Sequence, residues 1–225
     1  SVYPLIDYFI ISDTGSKDNT IKVIKDFAKK NNLKGKVYED AWKDFAYNRT
    51  LSLKRSKDKA DYVLIIDADE VLKYKNPLTN TYTEFTNDFP QIELENLDKD
   101  AYEINTQYGS LVYARVQLIS NRLDWKYIGV LHEYVHSDGI KTYGAISDVI
   151  NVPTQDGARS GDPNKYKKDA LVLETAVLDE PQNSRYIFYM AQSYRDCLNY
   201  DKAIENYRKL LTMQGFFEEE YISAY

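Results

Sequence analysis

Residues 62–70 read YVLIIDADE, a run of five apolar residues followed by three acids within four positions. The run has the length and the Val, Leu and Ile content of a strand that is buried on both faces of a parallel sheet. Ligands of open α/β sheets bind just outside the carboxyl ends of such strands, where Asp67 and Asp69 would lie. Both carboxylates can face one hard cation, although a solvated acidic turn explains the same residues equally well.

The chain before this stretch alternates between strand and helix patterns. Residues 5–12 (LIDYFIIS) predict a strand, and residues 13–20 predict a turn that leads into a capped helix. Residues 36–38 predict a second strand, and a second helix is expected over residues 48–56. The order strand, helix, strand, helix, strand predicts a parallel, right-handed, Rossmann-like half.

The chain after this stretch changes character twice. Residues 73–100 are polar and contain two prolines, so they predict a long loop with at most one short helix. Residues 101–107 and 111–120 alternate in polarity and predict two antiparallel strands joined near Gly109. A last strand is expected over residues 146–152.

The C-terminal third is predicted to be helical. Residues 154–163 are rich in Gly, Asp, Ser and Pro and predict a linker. Ala191, Tyr194, Ala203 and Tyr207 then follow the spacing of a tetratricopeptide repeat. Because a lone repeat cannot bury its own face, we expect it to pack on the first domain or to continue past residue 225. Helices are predicted over residues 164–178, 184–198 and 201–213, with a further start at residue 217.

The bulk properties of the chain argue against several classes of protein. A net charge of −6 without a basic stripe argues against a general nucleic-acid binder. No apolar run approaches the roughly 18 residues of a membrane helix, so no membrane span is predicted. The single cysteine, Cys197, excludes an intrachain disulfide framework. It fits a reducing compartment, and we predict a cytoplasmic location.

Four segments resemble the family 2 glycosyltransferases of GT-A fold: SDTGSKDNT, DFAYNRTLSL, DADE as the DxD motif, and WKYIGVLHEY. The last segment is similar to one in a subgroup that carries a C-terminal tetratricopeptide-like helical repeat. The resemblance implies an α/β protein with a GT-A (Rossmann-like) mixed sheet flanked by helices, followed by a small all-α tetratricopeptide-like segment. The implied domains are a nucleotide-sugar transferase domain over 1–153, a linker over 154–163 and a repeat region over 164–225.

The chain departs from the family pattern at three points. Thr50 stands where the family motif has Asn, and the family's first strand would precede Ser1. The loop after DADE is also unusual, so acceptor specificity cannot be carried over from the family.

The resemblance implies an inverting, metal-dependent glycosyltransferase that transfers a hexosyl group. The donor would be a nucleotide sugar and is expected to be UDP-linked. The acceptor would be a glycan, a lipid or a protein. Mn²⁺ or Mg²⁺ would lie between carboxylates and phosphate oxygens. Asp69 is the expected metal ligand, and Asp67 is expected to face the donor's ribose or sugar. Asp13 and Asp40 are candidate nucleotide contacts, and Arg49 can reach phosphate oxygens. Helix capping for Asp13 and a surface position for Arg49 are the structural alternatives, and Glu70 is expected to hold the loop that follows.

His132 and Glu133 form a second group of candidates. Glu133 is the expected general base, which takes the acceptor's proton. His132 is expected to be a further metal ligand or a diphosphate contact, and an ordinary loop role for both residues stays open. Trp125 and Tyr127 are candidates for an aromatic acceptor wall, with a place in the core as the alternative.

Other functions compete with this interpretation. Residues 132–136 spell HExxH, a zinc-protease motif that requires a helix with His132 and His136 on one face. A degenerate transferase domain that serves as a binding scaffold and a nucleotidyltransferase are further alternatives. The helical region is expected to bind the acceptor or a protein partner, or to mediate self-association.

Overall fold

The computed structural model describes residues 1–86, 96–154 and 161–213 of the 225-residue chain. Contacts between residues divide the chain into two units. The first consists of Ser1–Tyr127 and Val135–Gly157, and the second consists of Ile128–Tyr134 and Ala158–Tyr225, within the described ranges. The short segment Ile128–Tyr134 therefore belongs with the C-terminal helices.

The first unit begins with a β-α-β arrangement. A 3-10 turn at Tyr3–Leu5 precedes β1 (Tyr8–Asp13), α1 (Thr20–Lys30), β2 (Lys34–Glu39) and α2 (Phe45–Ser56). Strands β1 and β2 pair in parallel, with Asp13 opposite Glu39. The predicted parallel pairing of the first two strands is confirmed, because β1 and β2 are adjacent, parallel and connected by helix α1.

A mixed six-stranded sheet follows among the described residues of this unit. Its strands are β3 (Tyr62–Leu64), β4 (Glu70–Asn76), β5 (Thr81–Glu84), β6 (Ala101–Tyr108), β7 (Leu111–Ser120) and β10 (Tyr143–Pro153). The order across the sheet is β3-β7-β6-β10-β4-β5. Strands β6 and β10 are parallel, whereas the other neighbours are antiparallel. A mixed sheet with helices fits the expected α/β class. Two short strands, β8 (Lys126–Ile128) and β9 (Tyr134–His136), form a separate sheet.

The prediction of a long parallel strand over residues 62–66 is wrong. Strand β3 ends at Leu64, lies at the edge of the mixed sheet and pairs antiparallel with β7. Only the Ile65 N–H extends the pairing, through a 2.7 Å hydrogen bond to the Gln117 carbonyl. An edge strand has one neighbour, and these residues are accordingly only partly buried.

The prediction of an irregular loop over residues 73–100 is also wrong in its first part. Strands β4 and β5 form a hairpin there, and the Asn76 side chain caps its turn by accepting the Leu78 N–H at 2.9 Å. Leu72 and Tyr74 are buried, whereas Lys73 and Lys75 alternate with them and are more exposed. This period of two identifies a strand although every second residue is polar. Residues 87–95 lie outside the described residues.

Two clusters of apolar side chains stabilise the mixed sheet. One is formed by Leu72, Tyr74, Phe85, Ile104 and Val149. The other consists of Ala101, Ile119 and Trp125. Burial of this apolar area stabilises the sheet and so holds the ends of β3 and β4, between which the acidic turn 67–70 lies.

The described residues of the second unit include the helices α3 (Lys165–Asp179), α4 (Ser184–Asp196) and α5 (Tyr200–Leu211). Ile187, Phe188 and Leu210 form their core, and Ala191 and Ala203 are buried. The three predicted helices are confirmed, whereas the tetratricopeptide-like assignment stays a prediction. The helix start expected at residue 217 lies outside the described residues. No helix within the described ranges is both long and apolar enough to cross a bilayer.

Candidate functional site

The acidic turn after β3 is closed by its last residue, Glu70. This side chain is buried, and one carboxylate oxygen accepts the Asp67 N–H at 2.9 Å. The other oxygen accepts from the Arg115 guanidinium at 2.5 Å. Glu70 therefore has a structural role, as expected, although it holds the turn that precedes it and not the loop that follows.

Asp67 is paired with Arg49 from α2. The guanidinium lies 2.6 Å from a carboxylate oxygen, and the two side chains are 29% and 31% exposed. Arg49 also lies 5.4 Å from the centre of the Tyr127 ring. Burial raises the pKa of the Tyr127 hydroxyl, and the positive charge of Arg49 opposes that rise. The structure thus brings together Arg49, Asp67 and Tyr127, which were predicted from separate segments.

The backbone of Tyr127 fixes this group to α2. Its N–H donates to the Thr50 hydroxyl at 2.8 Å. Thr50 is the position where the sequence departs from the family motif, and its side chain supplies the acceptor for this bond. The ring of Tyr127 is consequently held beside Arg49.

Asp69 differs from the other two acids of the turn. Its backbone carbonyl accepts the Thr154 N–H at 2.7 Å and the Thr154 hydroxyl at 3.0 Å. Within the described part of the chain, its carboxylate has no hydrogen bond and no ion pair. The turn therefore presents one carboxylate without a basic partner among those residues.

The Asp69 carboxylate supplies oxygen atoms, the type of ligand that a hard cation takes. No group of three or more His, Cys, Asp or Glu side chains that could hold a metal occurs in residues 1–86, 96–154 and 161–213. Mg²⁺ is commonly held by one or two carboxylates, waters and substrate phosphates instead of a complete protein cage. The side chains present are compatible with that kind of site.

Asp13 ends β1 and closes the turn that follows it. Its buried carboxylate accepts the N–H groups of Gly15 at 3.0 Å and of Ser16 at 2.9 Å. The hydrogen bond from the Ser16 side chain is the main cause that lowers the pKa of this carboxyl, and burial opposes it. Gly15 has a φ of +112°, which favours glycine. The structural role of Asp13 is thus to hold this turn. Its predicted contact with the base of the nucleotide stays a prediction.

Asp40 follows β2 and makes a bidentate ion pair with Arg55. One guanidinium nitrogen lies 2.6 Å from its carboxylate, and the second nitrogen also donates to it. This hydrogen bonding lowers the pKa of Asp40. Arg55 in turn packs 3.9 Å from the centre of the Tyr38 ring. The carboxylate predicted to contact the nucleotide is therefore engaged in linking β2 to α2.

Trp125 is part of the core. It is 7% exposed, and its indole N–H donates to the Ser120 carbonyl at 2.8 Å. Because Ala101 and Ile119 pack in the same cluster, the indole presents no open face to a sugar. The expected acceptor wall therefore cannot include Trp125.

His132 and Glu133 belong to the second unit and lie between β8 and β9. The backbone of His132 is left-handed, with a φ of +51°. Its ring stacks on Tyr189 at 3.8 Å between centres and 7° between planes. Its carbonyl accepts from the Arg185 guanidinium at 2.8 Å. Stacking uses the face of the imidazole, whereas a metal would bind at a ring nitrogen, so the two contacts are compatible.

The zinc-protease interpretation is wrong. That motif requires a helix with both histidines on one face, whereas His136 lies in strand β9 and His132 in the preceding turn. His136 is 3.1 Å from an Asp138 oxygen in the first unit. The backbone conformation alone removes the geometry that the protease motif needs.

Several charged residues of these groups were missed in the sequence. Arg115 is the one charged residue in LVYARVQLIS, and a lone charge in an apolar strand was a usable signal. Arg55 and Arg185 have no comparable signal, because each is one of several charged residues on its helix. Their partners are distant in sequence and become evident only in the fold.

Comparison with known families adds one finding. Residues 3–139 match the family model described as glycosyl transferase family 2, which is more than half of the chain. The matched range includes the acidic turn, Arg49 and the segment with His132 and Glu133. No curated protein was found to match the chain.

Proposed function

The chain belongs to glycosyl transferase family 2, and from this premise we propose that it is an inverting transferase that uses a UDP-linked sugar and a divalent cation. The observation that carries the proposal is the division of roles within the acidic turn. Asp67 is paired with Arg49 and Glu70 with Arg115. The Asp69 carboxylate has no such partner among the described residues, which suits it to bind a cation.

The metal, Mn²⁺ or Mg²⁺, would neutralise charge on the departing diphosphate. Asp69 would hold it. A site with so few protein ligands depends on phosphate oxygens for the rest of the coordination, so metal and nucleotide should bind together. This coupling is a measurable property of the proposed site.

The donor would be oriented by residues of the first unit. Asp67 is ion-paired with Arg49 and would accept hydrogen bonds from hydroxyls of the donor. Asp13 would accept from the imide N–H of uracil, since the two backbone N–H groups of the turn donate to the same oxygen of its carboxylate. Tyr127 is better assigned to supporting Arg49 than to an acceptor wall, and Asp40 to the ion pair with Arg55.

Glu133 would act as the general base on the strength of the family resemblance. The acceptor oxygen would attack the anomeric carbon from the face opposite the diphosphate and lose its proton to Glu133. The bond between the anomeric carbon and the diphosphate oxygen would break, and UDP would leave with that oxygen. Attack from the opposite face inverts the anomeric configuration.

A panel of nucleotide sugars with Mn²⁺, scored by release of nucleoside diphosphate, tests this proposal. We expect release from UDP-linked donors and its loss when the metal is chelated. Binding of UDP without release from any donor would support the alternative, a non-catalytic binding module. Neither release nor a thermal shift with any nucleoside diphosphate would refute the proposed function.

A further inference from the structure

His132 has a backbone conformation that needs support. Its φ of +51° lies in the left-handed region, which residues with a Cβ rarely adopt. Such conformations persist where surrounding contacts determine them, and they cluster at functional sites. The contacts that hold His132 therefore decide where its neighbour Glu133 is directed.

Two of these contacts come from one helix. Arg185 donates to the His132 carbonyl at 2.8 Å, and Tyr189 stacks on the imidazole at 3.8 Å. They are four residues apart on α4, which places both on the same face of the helix. Arg185 also lies 4.9 Å from the Tyr189 ring centre and 5.3 Å from that of Tyr134, so the three side chains support one another.

Helix α4, which supplies these contacts, is held in place by core packing and by an N-cap. Ile187 and Phe188, which lie between the two residues in sequence, are buried in the helical core. The Asn183 side chain caps the helix by accepting the Tyr186 N–H at 3.3 Å. Side chains on a packed, capped helix are restricted in their positions, as a supporting group for a reactive residue must be.

We propose that Arg185 and Tyr189 are positioning residues that hold His132 and Glu133 in the conformation required for sugar transfer. This inference rests on the proposed function, because it gives Glu133 the role of base. Both residues lie beyond the range that matches the family model, which ends at residue 139. The helical unit is then a component of the catalytic machinery, in addition to any part in binding an acceptor or partner.

The contact itself can be tested without activity by proton NMR of the imidazoles. The chain has two histidines, so His136→Gln leaves a single imidazole, that of His132. A ring stacked on tyrosine should give proton signals shifted upfield. Tyr189→Leu should abolish this shift, whereas Tyr189→Phe should preserve it. Tyr200→Leu, which removes an exposed tyrosine from α5, is the matched control.

The functional consequence is tested by steady-state kinetics on the same variants. Tyr189→Leu and Arg185→Gln should lower kcat by about 10-fold or more, since small displacements of a reacting group have effects of up to ~100-fold. The KM for the donor should stay within about 2-fold, because the donor contacts lie in the first unit. Tyr189→Phe should retain most of kcat, and Arg208→Gln on α5 is the control for loss of a positive charge.

The outcomes separate this inference from the proposed function. An active protein in which Tyr189→Leu abolishes the upfield shift but leaves kcat unchanged overturns the positioning role. An imidazole signal that does not respond to Tyr189→Leu overturns the stacking contact, with or without activity. If the wild-type protein releases no nucleoside diphosphate from any donor, the proposed function fails and the catalytic role fails with it, while the NMR result still decides the contact.

Discussion

Arg49 and Asp67 form an ion pair of 2.6 Å although they come from helix α2 and from the turn before β4. Each side chain is about a third exposed, so the pair is within reach of a ligand. Arg49 neutralises an acid that would otherwise repel a diphosphate. In the proposed function, the pair would allow an acidic turn to accept an anionic donor.

Removal of the Arg49 charge should weaken nucleotide binding. Arg49→Gln is expected to reduce the affinity for UDP about 10-fold or more, because a charge-assisted hydrogen bond contributes about 1.5–3 kcal/mol. Isothermal titration calorimetry measures the change directly. Lys54→Gln removes an exposed positive charge from the same helix and should have little effect. Equal losses in the two variants would indicate a general charge effect and refute a specific contact.

The pair of Glu70 and Arg115 should matter for stability. The Glu70 side chain is 4% exposed, so loss of its partner leaves a buried carboxylate with one fewer hydrogen bond. Arg115→Met should lower the free energy of unfolding by about 2 kcal/mol, as measured by urea denaturation. Arg122→Met removes an arginine that is 62% exposed and should change it by less than about 0.5 kcal/mol. A similar small change in both variants would contradict the assigned role.

The pair of Asp40 and Arg55 should make stability depend on pH in the acid range. Arg55 lowers the pKa of Asp40 below its ordinary value of 3.8. The contribution of the pair is therefore present above that value and is lost as the pH falls through the lower, folded-state pKa. Asp40→Asn should destabilise the protein by about 2 kcal/mol near neutral pH.

That destabilisation should shrink as the pH falls below 3.8 and through the lowered, folded-state pKa of Asp40, because Asp40 of the wild-type protein then also becomes protonated. Urea unfolding at neutral pH and at an acid pH below that pKa measures the difference. Asp7→Asn, at an exposed position, serves as the control for the change of charge. A destabilisation by Asp40→Asn that is the same at both pH values would show that the ion pair is not its source.

Local pattern predicted much of the fold, but pairing between distant segments was not accessible from it. Strands β6 and β7 and helices α3 to α5 were found because alternation and helical spacing are properties of short stretches. The run 62–66 was assigned to a central parallel strand because its residues are apolar. Its antiparallel partner β7 lies more than 45 residues later, and only that pairing shows that β3 is an edge strand.

The candidate site shows the same difference between what local sequence predicts and what only the fold reveals. Residue types and spacing drew attention to Asp67 and Asp69, and the family resemblance drew attention to Arg49. The fold then brought Arg49 to Asp67. The sequence could not show that Asp40 is paired with Arg55 or that Trp125 is buried, because these depend on which side chains meet. The support of His132 by Arg185 was hidden for the same reason, since the two residues are 53 positions apart in the sequence.

Titration of UDP in the presence and absence of Mn²⁺ tests the role of Asp69 most directly. The wild-type protein and Asp61→Asn, a control at an exposed acid just before β3, should bind UDP at least about 10-fold more tightly with Mn²⁺. Asp69→Asn should bind weakly and with little response to the metal. If Asp69→Asn retains both the wild-type affinity and its dependence on Mn²⁺, Asp69 is not the metal ligand and the central claim is wrong.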